Sequence, residues 1–161
     1  MKQIDKGYLA GIIDGEGMIR IEHYKRKPSI GTIRVVVTST HEILPQMLVK
    51  MTQAGYYTRC KRKNDGRRIP SWQWFCLGRR AVSLLQKIRA QLIIKREQAD
   101  WVLKFADHLK SRQNPKAKMS EADATFGRQC AERIRSLNSR ERNKRLLRQY
   151  AIEQHDPWVL L

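Results

Sequence analysis

Asp14 and Glu16 stand two residues apart in the stretch "LAGIIDGEG", residues 9–17, with Gly15 between them and Gly11 and Gly17 on either side. Carboxylates freed of neighbouring bulk suit a hard divalent cation. Magnesium takes oxygen ligands, keeps several waters, and binds through one or two carboxylates plus substrate phosphates. Such a cation polarises phosphoryl oxygens and activates water for in-line attack on a phosphodiester. Asp-Gly-Glu-Gly is also an ordinary turn composition, so the pair takes its meaning from its surroundings.

Those surroundings are strongly basic. The chain has 161 residues, with 33 Lys and Arg against 15 acids, a formal charge of +18. That excess repels itself unless a polyanion is the partner, and nucleic acid is the expected one. The length fits a single domain. Cys60, Cys76 and Cys130 show neither metal-ligand spacing nor a disulfide framework, which points to a reducing, intracellular setting, prokaryotic cytoplasm or organelle. No stretch approaches the roughly 18 apolar residues of a membrane span, and no apolar leader opens the chain, so neither membrane insertion nor secretion is expected.

Leu9, Ile12 and Ile13 lie at helical spacing and predict a short helix over Tyr8–Asp14, stopped by Gly15 and Gly17. From Met18 the period becomes two, with Ile19, Ile21 and His23 on one side and Arg20, Glu22, Tyr24 and Arg26 on the other. Residues 30–38 predict a second strand, Ile33, Val35 and Val37 facing the core and Thr32, Arg34 and Val36 facing away. Residues 40–53 predict a helix capped by Thr40. Residues 56–63 predict a third strand with Arg59, Lys61 and Lys63 on one face, and "NDG" marks a hairpin turn. The fourth strand, 71–77, has as its core side either Trp72 with Trp74, or Gln73, Phe75 and Leu77.

Helical spacing returns over 79–93 and continues over 96–110, and Ser120 caps an amphipathic helix over 121–138. Helix, two strands, helix, two strands and further helices define an α+β layer fold. The single domain, 1–161, then comprises a core over about 6–112 and a basic helical C-terminal segment over about 119–154. A sheet face bearing Arg20, Arg26, Arg34, Arg59 and Lys61, with Glu22, Tyr24, Thr32 and Lys63 beside them, suits the DNA major groove. There arginine reaches guanine edges bidentately while other residues contact phosphates.

"LAGIIDGEG" resembles the nine-residue motif of the LAGLIDADG homing endonucleases, differing from it only at Ile12, Gly15 and Glu16. "LIIKREQADWVLKF" resembles the segment that carries an active-site lysine in the family's single-motif, homodimeric branch. "RIRSLNSRERNKR" resembles that branch's phosphate-contacting C-terminal segment. The resemblance implies an αββαββα fold, with a saddle-shaped antiparallel sheet on DNA and helices on its other face. It makes Glu16 catalytic and metal-binding, with Gly15 beside it in the metal site, Lys95 catalytic, and Asp14 a structural acid. Ser139, Arg140, Asn143 and Lys144 inherit DNA contacts, and Leu9, Ala10, Gly11, Ile13 and Asp14 a helix packed on a second copy.

The implied activity is a site-specific endonuclease, a homodimer that hydrolyses one phosphodiester per strand of a long, partly palindromic target. It leaves short 3′ overhangs, with Mg2+ bridging the subunits and Mn2+ able to substitute. The implied gene is mobile and intron-encoded or similarly inserted. An RNA-splicing maturase or a non-cleaving DNA-binding protein is the alternative on the same scaffold. Two positions depart from the branch: Ser39 stands where a glutamine is usual, and Ile43 or Leu44 where a basic residue is expected.

Overall fold

The computed structural model describes residues 2–22, 31–60, 70–112 and 120–139. His23, Tyr24, Arg26, Lys61, Lys63, Arg140, Asn143, Lys144, the "NDG" turn and the chain beyond 139 lie outside the described residues. The elements are α1 (Gln3–Glu16), β1 (Gly17–Glu22), β2 (Thr32–Ser39), α2 (Ile43–Thr52), β3 (Tyr56–Arg59), β4 (Trp72–Leu77), α3 (Gly78–Ile88), α4 (Arg96–Lys110) and α5 (Glu121–Leu137). The strands form one antiparallel sheet in the order β1-β2-β4-β3. The α+β class and the αββαββα order are as expected.

Alternation settles the sheet's two faces. Ile19, Ile21, Ile33, Val35, Val37, Trp74 and Cys76 are buried in one core with residues from all five helices. Trp74, not Phe75, is therefore the inward residue of β4, and its Nε1 donates to the Ala54 carbonyl at 3.1 Å. Gly55 accommodates that packing: its φ is +80°, and a Cβ there would lie 2.2 Å from the Phe75 carbonyl oxygen. α5 adds Cys130, Ala131 and Ile134 to the same core, so one packing unit reaches well past residue 112.

Three local expectations change. α1 is twice the expected span, because Asp5 accepts from the Lys2 backbone N–H at 2.9 Å and starts the helix early. Gly15 lies inside it, and Gly17 alone ends it. The Gly17 N–H donates to the Ile13 carbonyl, and a Cβ at 17 would sit 2.6 Å from that oxygen, so only glycine lets the chain pass straight from helix to strand. α2 starts at Ile43 without a side-chain cap, putting Pro45 in the first turn, where its missing N–H is no loss. Helix formation breaks between 88 and 96, for a reason found at the candidate site.

Ser120 does cap α5. Its Oγ accepts from the Asp123 N–H at 3.1 Å, and Asp123 accepts from the Ser120 N–H at 3.3 Å. Asp123 also meets His108 Nε2 at 2.8 Å and Arg112 Nε at 3.3 Å, which ties α5 to the end of α4. Hydrogen bonds from Ser120 and His108, helped by the Arg112 charge, hold the Asp123 carboxyl below its ordinary 3.8. Because folding lowers this pKa, the stabilisation is complete above 3.8 and fades as pH falls through and below it. Asp123→Asn is expected to lower the melting temperature at neutral pH, with the gap to wild type closing in acid below that value. A thermal-denaturation series across pH checks this, and a pH-independent gap refutes it.

Candidate active site at the end of α1

The last turn of α1 meets the segment joining α3 to α4. Asp14 is buried there, and its two carboxylate oxygens accept from the backbone N–H groups of Ile93 at 2.7 Å and Lys95 at 2.8 Å. This bidentate acceptor interrupts what the periodicity reads as nearly continuous helix: a short 3-10 turn, Arg89–Gln91, leads into the bound residues, and α4 starts afresh at Arg96. A buried carboxylate is tolerable only with such partners, and hydrogen bonds to charged acceptors are about twice as strong as neutral ones.

The same contact aims Lys95. Its ammonium donates to the Asp14 backbone carbonyl, at the helix end where unpaired carbonyls concentrate negative charge. The group is half-buried, and desolvation pushes its pKa below 10.5 against the opposing pull of Asp14 and Glu16. Glu16 itself is exposed, and no hydrogen bond or ion pair holds its carboxylate among the described residues. Glu16, Gly15 and Lys95, expected at one site, are thus brought together, with Asp14 as the structural acid between them.

The donor set fits a hard cation. No group of three or more His, Cys, Asp or Glu side chains gathers among the described residues, as a cage for a softer metal would need. One free carboxylate at an open helix end is what magnesium uses when waters and substrate phosphates complete its shell.

Among the described residues, the outward sheet face carries two of the expected basic residues, Arg20 and Arg34. Arg20 and Arg34 pair across β1 and β2, and both reach Glu22, at 3.6 and 2.7 Å. Thr32 lies opposite Glu22 on the same face. Arg59 is a correction: it shares the parity of Tyr57, which packs on the core, so it belongs to the helix side of β3, where it is exposed. A one-residue change of register reverses every side chain of a strand. Ser139 is exposed just beyond α5, whose Asn138 donates to the Ile19 carbonyl at 3.0 Å.

The expected helix-contact face also needs correcting. Leu9, Ala10 and Ile13 are fully buried within the chain and Asp14 is nearly so; of the five residues only Gly11 is exposed. The apolar residues at 9, 10 and 13 face their own core because that side of α1 covers it. The outward side carries Ile4, Gly7, Tyr8, Gly11 and Gly15 instead. Ser39, at one departing position, accepts from the His41 N–H at 3.0 Å; at the other, Ile43 is exposed and Leu44 packs on the core.

No protein-family model matches the chain, and no curated protein matches it. Solved structures do. It is similar to the homing endonuclease I-CvuI in complex with its target in the presence of calcium, with TM-score 0.68 and 20% identity over 85% of this chain and 83% of that one. It is similar to the archaeal intron-encoded homing endonuclease I-Vdi141I complexed with DNA, with TM-score 0.70 and 11% identity over 87% of each chain. The LAGLIDADG homing endonuclease I-GzeII in complex with its DNA target matches at TM-score 0.53 and 15% identity, over 84% of this chain but 44% of that one. The chain therefore has the LAGLIDADG homing endonuclease fold.

The two motif acids are expected to separate in a stability measurement. Asp14→Asn leaves one backbone donor without its acceptor and should cost about 1–3 kcal/mol. Glu16→Gln should stay within about 0.5 kcal/mol of wild type, as exposed substitutions do. Urea denaturation of both variants decides; equal losses would refute the division of roles.

Proposed function

We propose that the chain is a site-specific DNA endonuclease of the LAGLIDADG family, acting as a homodimer on a long, partly palindromic duplex. The observation that carries this reading is the placement of a free carboxylate, Glu16, and a half-buried ammonium, Lys95, at the same open helix end, near enough for the charge of one to act on the other. The likeness to DNA-bound homing endonucleases supports it. Glu16 from each subunit, with Gly15 beside it, would hold divalent cations, Mg2+ or in its place Mn2+, bridging the subunits. A cation bound there polarises phosphate oxygens and lowers the pKa of water. Lys95 supplies a fixed positive charge where negative charge grows on the phosphate being cut. Arg20, Arg34, Glu22 and Thr32 face the major groove, while Arg59, Ser139 and the basic residues outside the described segments contact the backbone.

The outward side of α1 supports the dimer. Gly7, Gly11 and Gly15 recur every fourth residue, and a Cβ at any of them would meet nothing within 4 Å. Glycine in a helix interior costs about 1 kcal/mol relative to alanine, and no contact among the described residues requires it at these three positions. Close approach of a second helix does. Apolar residues flank the stripe, Ile4 at 78% and Tyr8 at 51% exposure, with Ile93 and Ile94 exposed nearby in sequence to Lys95. I-GzeII, matched over 44% of its length, leaves room for a second such unit in one chain. No described helix is long and apolar enough to cross a membrane, and action on DNA inside the cell follows from the proposed substrate.

Two measurements test the proposal. Selection of cleaved sites from a randomised palindromic library with magnesium should yield a defined site, and Glu16→Gln should bind that site while cutting at least a hundredfold more slowly. Binding without cleavage in any divalent ion would favour the non-cleaving or maturase alternative, and undiminished cleavage by the variant would remove Glu16 from the mechanism. Gly11→Leu should convert a particle of twice the chain mass into monomers in sedimentation; a wild-type monomer at micromolar concentration would refute the helix-paired dimer.

A further inference from the structure

The register of the sheet sorts its outward side chains into rows that cross the strands. Met18 pairs with Val36, Val36 with Phe75, and Phe75 with Tyr56, so one apolar row traverses all four strands. Its neighbours are polar except at Leu77. On one side lie Thr38, Gln73 and Thr58, with Gln73 Nε2 donating to Thr38 Oγ1 at 3.1 Å. On the other lie Arg20, Arg34 and Leu77.

The apolar row is in part open to solvent. Met18 is 45% and Tyr56 53% exposed, and the Tyr56 and Phe75 rings stack with centroids 5.4 Å apart. Val36 is buried and Phe75 half-buried between them, so the exposed ends of the row, Met18 and Tyr56, carry its contact surface. Resting on the endonuclease reading above, we propose that this row reads thymine 5-methyl groups in the major groove, and so demands A·T pairs at one fixed place in each half-site.

The chemistry selects that occupant. Thymine alone presents a methyl group in the major groove, whereas guanine, cytosine and adenine present hydrogen-bonding groups there. Pressed against the apolar row, any pair leaves groove-edge donors and acceptors dry, and an A·T pair alone offsets part of that cost by burying its thymine methyl. The flanking arginines and the chain's +18 charge match a phosphate-lined groove better than an acidic-poor protein surface. Spacing agrees as well. Rows two residues apart on a strand are separated by about 6.8 Å, the rise of about two base pairs. Arg20 and Arg34 then address pairs on one side of the methyl-reading step, and Gln73 with the two threonines those on the other.

Deoxyuridine, which lacks only the 5-methyl group, provides the probe. Duplexes bound by the full chain are selected from a randomised palindromic library, and each thymine of the half-site is replaced in turn. Thymine should be enriched at adjacent positions, and its replacement there should weaken binding about fourfold per methyl contacted. Met18→Gln with Tyr56→Ser, both exposed positions, should keep the melting transition and abolish most of that penalty. If a sequence is selected but deoxyuridine is neutral at every position, the inference falls while the DNA reading stands. If no duplex is selected above background, both fall. If the double variant instead dissociates an oligomer, the row is a contact between copies, and the inference again fails.

Discussion

The carboxylate of Asp14 is the tie on which the candidate site depends. It joins residues 79 and 81 positions apart, the end of α1 and the backbone of Ile93 and Lys95. Without that acceptor the segment between α3 and α4 has helical periodicity and no reason to break. With it, the chain is bent at a defined residue, and the Lys95 ammonium lies on the carbonyl end of α1. Electrostatics then holds the arrangement from both sides. Burial disfavours the lysine's charge, while the two motif carboxylates and the helix terminus favour it. A cation so placed is positioned before any substrate arrives, which is the condition for electrostatic catalysis to be efficient.

α1 is therefore a helix with two unlike sides and one end that carries the candidate site. The side bearing Leu9, Ala10 and Ile13 closes the sheet's core and fixes the helix in place. The opposite side, with its open glycines, meets nothing among the described residues at those positions. Gly17 separates the two regimes, since its contact with the Ile13 carbonyl delivers β1 directly from the last helical turn. The acid at 16 is thus held one residue from a strand whose direction is set by the whole sheet. Rigid elements on both sides of the residue constrain it better than a loop could.

Much of the fold was legible in the sequence, and so were the residues that meet at the site. Alternation in β1 and β2 identified Ile19, Ile21, Ile33, Val35 and Val37 as inward, because Arg20, Glu22 and Arg34 mark the opposite side even though Val36 shares it. β4 offered two equally apolar sides, and only burial of Trp74 distinguishes them. β3 misled for a different reason: basic residues at alternate positions suggested an outward face, but an edge strand leaves charged residues room on either side, so charge does not report parity there. In α1 the small residues at 10 and 11 suggested the contact face, but Ala10 is buried in the chain's own core; on the dimer reading proposed above, the signal is the four-residue recurrence of Gly7, Gly11 and Gly15. The bond from Asp14 to the segment near Lys95 had no sequence signal, because backbone donors carry no residue type.

Once Arg59 is moved to the helix side, the outward face of the described sheet bears two arginines sharing one glutamate, a modest positive charge for a chain of +18. Many of the remaining lysines and arginines fall in sequence at 61–68 and 140–148, outside the described residues. On the endonuclease reading this separates two tasks. Phosphate contacts, which are insensitive to sequence and weaken with salt, belong mainly to residues away from the described sheet. The sheet face, with few net charges and ordered rows of hydrogen-bonding and apolar groups, is suited to discriminating base edges. Glu22 serves that purpose directly: by holding Arg20 and Arg34 in one orientation it lowers the entropy each must lose on meeting a base, and it makes their pairing with the wrong edge harder to repair. Removing net charge from a reading surface costs affinity for DNA in general and leaves a larger share of the binding energy dependent on sequence.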